Sequence, residues 1–204
     1  MKKEIRKTAK PRERSHFFAY MARMKFIMRW GLMRNTRPEN DAEHTAQVAM
    51  IAHALAVLQN ARYKGGLDAG LVASLALYHD AGEVITGDLA TPIKYFNPVI
   101  KEAFHRIEDV ASRKLLDMLP ADLHPAYSPL LAPDMTALPW RLVKAADRIA
   151  AYAKCVEEIK AGNSEFALAA ESILKTIEAI DIPAVRDFME EFTPSYSLSL
   201  DELH

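Results

Sequence analysis

The chain has 204 residues, of which 50% are hydrophobic and 26% charged, and a formal net charge of -1. Such a length favours one domain with a sizeable core, and this charge gives no field to draw the chain to a nucleic acid polymer or an anionic membrane. The 1 Cys excludes an intramolecular disulfide and fits a reducing compartment.

No apolar run approaches the roughly 18 residues of a spanning helix. The charged start lacks the apolar core of a signal peptide, so a cytoplasmic setting is expected. Only 7 Gly against 9 Met, with many Ala, Leu and Glu, favours helix throughout.

Residues 1–14 are rich in Lys, Arg and Glu and read as a flexible charged extension before a domain over 15–204. Ser15 is placed to cap a first helix running towards Arg29, with Phe17, Met21, Met24 and Met28 on one apolar stripe. Arg29 and Trp30 leave that helix just before Gly31. A surface arginine and a filler tryptophan are the default for such a pair. Near a phosphate site, however, a guanidinium beside an indole suits an anionic group on a furanose-bearing ligand.

Asn40 and Glu43 form a capping box for a second helix that runs to about Asn60. His44, Val48, Ile51, Leu55 and Leu58 share its apolar face. His53 stands about 180° round from His44 and reads as a core histidine, not a ligand.

Lys64-Gly65-Gly66 breaks the chain before a third helix, expected from about Leu67 to Val84, with Val72, Leu75 and His79 in register. On it His79 and Glu83 share a face, while Asp80 points about 100° away from His79. An apolar helix that ends by aiming an imidazole and a carboxylate inward needs a neutralising partner, and a divalent cation is one. From Gly87-Asp88 to Thr91-Pro92 the chain reads as an irregular loop, well placed for substrate contacts.

Asn97-Pro98 opens a fourth helix to about Met118, with Arg106, Glu108, Asp109, Arg113 and Lys114 as its solvated face. Pro120 to Pro139 reads as irregular, with room for one short helical turn. Pro139 starts a fifth helix that ends near Gly162. Within it Asp147 shares a face with Val143 and Ala150, where an unpaired carboxylate is unfavourable. A surface pair with Arg148 is the bland alternative. Cys155 reads as a small core residue. Ser164 is placed to cap a sixth helix through Ala179, and Ile182-Pro183 separates it from a last helix, Ala184 to Phe192. With no alternating strands and no internal repeat, the fold class is all-α, a single-domain helical bundle.

Four candidates thus stand on three helices: His44, the pair His79-Asp80, and Asp147. Two imidazoles with two carboxylates suit Mn, Co, Fe or Zn better than Mg or Ca. Water on such an ion has a lowered pKa, as phosphate ester hydrolysis requires. Arg29 can neutralise phosphoryl oxygens, and Glu83 and Asp88 can move or orient protons.

The order His, then His-Asp, then Asp resembles the metal signature of the HD-domain phosphohydrolases. Ser-His-Phe-Phe-Ala at 15–19, Arg29-Trp30 with Leu32-Met33-Arg34-Asn35, Glu43-His44, Tyr78-His79-Asp80, Thr86-Gly87-Asp88-Leu89, Lys94-Tyr95-Phe96-Asn97 and Ala146-Asp147 resemble the bacterial 5′-deoxynucleotidases of the YfbR type. So do Pro194-Ser195 and Leu198 to Glu202, and the resemblance covers roughly residues 15–202.

It implies a helical, homodimeric HD domain that removes phosphate from deoxyribonucleoside 5′-monophosphates with one divalent transition metal ion, Co2+, Mn2+ or similar. By the same resemblance His44, His79, Asp80 and Asp147 are the metal ligands. Arg29 orients the phosphate, Trp30 packs against the sugar where a 2′-hydroxyl is crowded, and Glu83 and Asp88 handle protons and water. Asp88, Leu89, Ala90 and Thr91 line the substrate, beside His44, Asp80 and Asp147. Ala90 stands where proline is expected, a departure from the family pattern. Another HD hydrolase, acting on nucleoside triphosphates or cyclic nucleotides, and a catalytically silent nucleotide-binding module are the competing readings.

Overall fold

Asn40 begins the main structural helix. Its side chain accepts from the Glu43 amide at 3.0 Å, and the Glu43 carboxylate reaches back to the Asn40 amide. This reciprocal cap satisfies two of the donors that a helix start leaves free. The computed structural model describes residues 14–94 and 96–203, apart from the side chains of Thr91 and Pro92. The extension expected before Ser15 therefore falls, up to residue 13, outside the described residues.

The helices are α1 (Phe17–Met21), α2 (Asp41–Tyr63), α3 (Ala69–Leu77), α4 (Glu83–Thr86), α5 (Thr91–Lys94), α6 (Pro98–Asp117), α7 (His124–Leu131), α8 (Leu138–Lys160), α9 (Ala167–Glu178) and α10 (Pro183–Glu191), with short 3-10 turns between and after them. Extended pairing among the described residues is limited to one isolated bridge, Met28 to Asn40. The chain is all-α, as expected.

The core forms where α2 packs against α3, α8 and α10. Val48, Ile51, Leu55, Val72, Val143, Ile149 and Val185 are buried there. Each such side chain contributes about 1.5–3 kcal/mol on leaving water. A smaller cluster of Phe17, Ala81, Leu115, Leu119 and Leu131 ties α1, α6 and α7 to the turn after α3. A third, around Cys155, Phe166 and Ala170, lies beneath Trp30 and Met33. Cys155 is a buried core thiol.

Several features differ from the sequence reading. The first helix stops at Met21 and a 3-10 turn follows over Met24–Phe26. The chain then leaves the helical path because Ile27 and Arg29 exchange backbone hydrogen bonds with Asp41 and Glu39, at 2.9 and 3.0 Å. Met28 consequently lies 48% exposed and not on a core stripe.

The third helix ends at Leu77, well before Val84. From Tyr78 to Glu83 the amides bond three residues back (Tyr78 to Leu75, His79 to Ala76, Ala81 to Tyr78, Glu83 to Asp80), which tightens the chain into turns. The segment 120–139 is more ordered than expected, since α7 occupies its middle with Pro129 inside. At the start of the sixth predicted helix the capping side chain is Asn163, not Ser164. His53 faces solvent and is not a core residue.

Candidate active site

Three elements deliver the site's side chains. His44 sits one turn into α2, fully buried. Asp147 lies midway along α8, where α8 crosses α2. His79 and Asp80 come from the tightened turns after α3. In a continuous helix these neighbours would diverge by about 100°. Here the turn lets them converge, with His79 Nε2 3.0 Å from Asp80 Oδ2.

His44 Nε2 lies 3.1 Å from Asp147 Oδ1, and His79 Nε2 lies 3.9 Å from the same oxygen. The two imidazole rings are 5.6 Å apart between centroids. His44, His79 and Asp147 each bring one ligating atom within 4.8 Å of the others. Asp80 groups differently. Its oxygen lies within the same distance of Asp41 and Glu83, so it stands between two sets of donors. Asp147 does not pair with Arg148, whose guanidinium turns to the Thr176 carbonyl. It takes Lys144 instead.

The His79 ring carries the most informative atom. Its Nδ1 lies 2.8 Å from the Ala76 carbonyl, a bond only a protonated Nδ1 can make. In the neutral ring that leaves a lone pair on Nε2, which is buried and has no hydrogen-bond partner. That lone pair faces carboxylate oxygens of Asp80 and Asp147. Lone pair against carboxylate is repulsive, and either a proton on Nε2 or a metal ion in its place removes the conflict.

The electrostatics follow. Burial, aided by the Arg29 charge, holds the His44 imidazole below its ordinary pKa despite Asp147, which keeps it in the neutral, ligating form. Burial would also lower His79, but Asp80 and Asp147 outweigh it and its pKa stands above the ordinary value. Burial would raise Asp147, yet Lys144, His44 and His79 hold it well below the usual carboxylate range. Glu83 is pushed strongly upward, by burial first and then by Asp80, Asp41 and Asp88. Asp88 is raised by burial against the opposing charge of Arg29.

Arg29 lies against this group and is largely buried. Its Nη1 stands 3.4 Å from Asp80 Oδ2 and 3.8 Å from Asp41 Oδ1, while its Nε is 3.4 Å from Glu39 Oε2. Trp30 donates its indole N–H to Glu39 at 2.9 Å and packs on Phe166, ring centroids 5.3 Å apart. Its φ of 59° puts a bulky residue in the left-handed region, a conformation that surrounding contacts must hold. Leu89 and Ala90 are half-buried in the loop after Gly87. The Thr91 side chain lies outside the described residues.

Glu158 of α8 secures the loop that follows Trp30. It is buried and accepts from the Thr36 amide and hydroxyl at 2.8 and 2.7 Å, from the Arg37 amide at 3.1 Å and from Asn163 at 2.9 Å. Lys154, also buried, pairs with it.

Sequence reasoning missed five participants. Asp41 reads as an ordinary acidic residue in a first helical turn, and Glu39 as part of a connection. Lys144 and the Lys154–Glu158 pair look like solvated helix charges. The available signals were two helical spacings, Lys144 to Asp147 three apart and Lys154 to Glu158 four apart.

A bundle that brings imidazoles and carboxylates from α2, the α3–α4 turn and α8 to one point has the fold of the HD-domain phosphohydrolases. It superposes on an HD-domain phosphohydrolase from Listeria innocua with a TM-score of 0.78 at 24% identity, covering 89% of this chain and 88% of that one. An HD phosphohydrolase of cyanophage S-2L, DatZ, bound to dA and one catalytic Zn2+ ion, superposes at a TM-score of 0.58 and 21% identity, over 87% and 95% of the two chains. The chain belongs to the 5′-deoxynucleotidase YfbR-like family, which it matches over residues 16–196. It is 51% identical over 190 residues to the 5′-deoxynucleotidase yfbR of Photorhabdus temperata, covering 93% of this chain and 96% of the relative.

Proposed function

We propose that this protein is a metal-dependent 5′-deoxynucleotidase that hydrolyses deoxyribonucleoside 5′-monophosphates to deoxyribonucleoside and phosphate. The observation that carries the metal requirement is the buried His79 Nε2, whose ring is oriented by Ala76 so that this nitrogen faces two carboxylates. Such a set fits one divalent transition ion, of which Co2+ and Mn2+ are the first to test. When bound, the ion acidifies water and draws charge from the phosphoryl group.

His44, His79, Asp80 and Asp147 hold the ion in this reading. Ala76 fixes the His79 tautomer from behind, as outer partners of metal-binding histidines do. Arg29 orients the phosphate, exchanging some of its carboxylate contacts for phosphoryl oxygens. Trp30, anchored to Glu39 and Phe166, forms the wall against the sugar and crowds a 2′-hydroxyl. Glu83 and Asp88 move the protons, and the loop from Asp88 to Thr91 lines the substrate.

The dense carboxylates around Arg29 disfavour a triphosphate, because Lys94 is engaged by Glu108 at 2.8 Å and Lys144 by Asp147. A homodimer and a cytoplasmic location belong to the same reading. No helix among the described residues is long and apolar enough to cross a membrane.

The test is phosphate release from dAMP and from AMP by chelated protein, with and without added Mn2+ or Co2+. Metal-dependent release confined largely to dAMP is expected. Equal rates on both substrates would remove the role given to Trp30, and full activity in chelator would remove the metal. Light scattering on the eluted protein gives the oligomeric state.

A further inference from the structure

Asp41 is the first residue of α2, a position where acidic side chains normally sit in solvent and complement the helix dipole. Here the side chain is turned inward and is 0% exposed. Neither of its carboxylate oxygens has a hydrogen-bond partner. Glu83 Oε2 is buried without a partner as well. A buried carboxyl in this condition stays ionised only where a cation approaches it.

Arg29 is the cation at hand, and it does not suffice. Its Nη1 makes a hydrogen bond to Asp80 at 3.4 Å but stays 3.8 Å from Asp41 Oδ1. The same guanidinium also faces Glu39. Asp41 Oδ2 and Glu83 Oε2 remain unsatisfied. Meanwhile Asp41, Asp80 and Glu83 each place an oxygen within 4.8 Å of the other two.

We propose that Asp41, Asp80 and Glu83 form a second cation site that takes a hard divalent ion, Mg2+ or Mn2+, beside the imidazole-bearing group of His44, His79 and Asp147. Three carboxylates with no nitrogen donor select hard ions, whereas the imidazoles of the first group select transition metals. Asp80 belongs to the second group, and its Oδ2, 3.0 Å from His79 Nε2, is where the two groups adjoin. Paired sites of this kind clamp a phosphoryl group from two sides. Asp41, Asp80 and Glu83 would hold this ion, which would supply the positive charge they now draw from Arg29 and leave the guanidinium available to the phosphate. The proposal rests on the metal reading of the first group only through Asp80.

The experiment counts Mn2+ bound per chain on metal-free protein, by equilibrium dialysis with elemental analysis, and records the electron paramagnetic resonance of the loaded sample. Wild type, Asp41→Asn and Asp147→Asn are compared, with thermal melts to establish folding. Two ions per wild-type chain with a spin-coupled signal are expected, and one uncoupled ion in Asp41→Asn. Asp147→Asn should weaken the first site while keeping binding at the carboxylates.

One ion in both wild type and Asp41→Asn overturns the second site and leaves the first intact. Two ions in Asp41→Asn overturn the assignment of Asp41. No bound ion in wild type defeats both readings together. Should Asp41→Asn not fold, the wild-type stoichiometry decides alone.

Discussion

His44 reaches from α2 to α8 and sets its Nε2 3.1 Å from Asp147 Oδ1, so the two longest helices meet through an imidazole and a carboxylate. Helix packing brings them together, and the proposed chemistry depends on that contact. Replacing Asp147 by Asn keeps the volume and removes the charge. The folded variant is expected to lose tightly held transition metal and to slow phosphate release by roughly a thousandfold or more, since a Lewis acid supplies several kcal/mol and each 1.36 kcal/mol is tenfold. Metal analysis of the purified variant beside its turnover on dAMP checks this; a metal-replete, fully active Asp147→Asn would refute the ligand role.

Arg29→Lys keeps a positive charge and discards the planar fork. Lysine cannot face Glu39, Asp80 and a phosphate at once, because its donors radiate from one atom. We expect kcat/KM for dAMP to fall by about 10²–10³, comparable to losing an oriented donor at a reacting oxyanion. Steady-state kinetics with saturating metal measures it, and a change under threefold would show that Arg29 does not touch the phosphate.

Trp30→Ala removes the wall proposed for the sugar. The dAMP:AMP ratio of kcat/KM should drop by about tenfold or more, in line with the 1–3 kcal/mol that shape discrimination supplies. The drop should come mainly from faster AMP hydrolysis. A variant equally slowed on both substrates would indicate a scaffolding role through Glu39 and Phe166 instead.

Glu158 supports the loop that follows Arg29 and Trp30. Burial alone would raise its pKa, but Lys154, Asn163 and Thr36 hold it well below its ordinary 4.5. A depressed carboxyl adds stability that is complete above the unfolded value and is lost as pH falls below it. Melting temperature should therefore drop between about pH 4.5 and 3 in wild type, and less so in Glu158→Gln. Glu158→Ala, which strands a buried Lys154, should cost about 3–5 kcal/mol, or roughly 6–20 °C. Parallel melting curves for wild type and Glu158→Gln across that window would contradict the assignment.

Locally encoded features were legible in the residues. The Asn40–Glu43 box, the Asn97-Pro98 start of α6 and the Gly162 end of α8 each depend on contacts within a few positions. The apolar face of α2 announced His44 as an inward residue. What could not be seen was set by distant parts of the chain. The apolar run before His79 continues smoothly into Val84, and nothing local reveals that the amides from Tyr78 onward turn back three residues. Met28 completes a helical stripe in sequence, yet pairing with Asn40 pulls it out of the helix. Asp41 looks solvated until the 27–41 segment folds over it. Lys154 and Glu158 form an ordinary i, i+4 pair until Thr36 and Arg37 cover them.

The early end of α3 bears on any attempt to move this chemistry elsewhere. A His-Asp dipeptide grafted onto an uninterrupted helix of another scaffold would splay its two side chains and leave the imidazole tautomer unset. The transferable unit is the coiled segment from Ala76 to Glu83, because its backbone supplies both the carbonyl that steers His79 and the bend that folds Asp80 towards it.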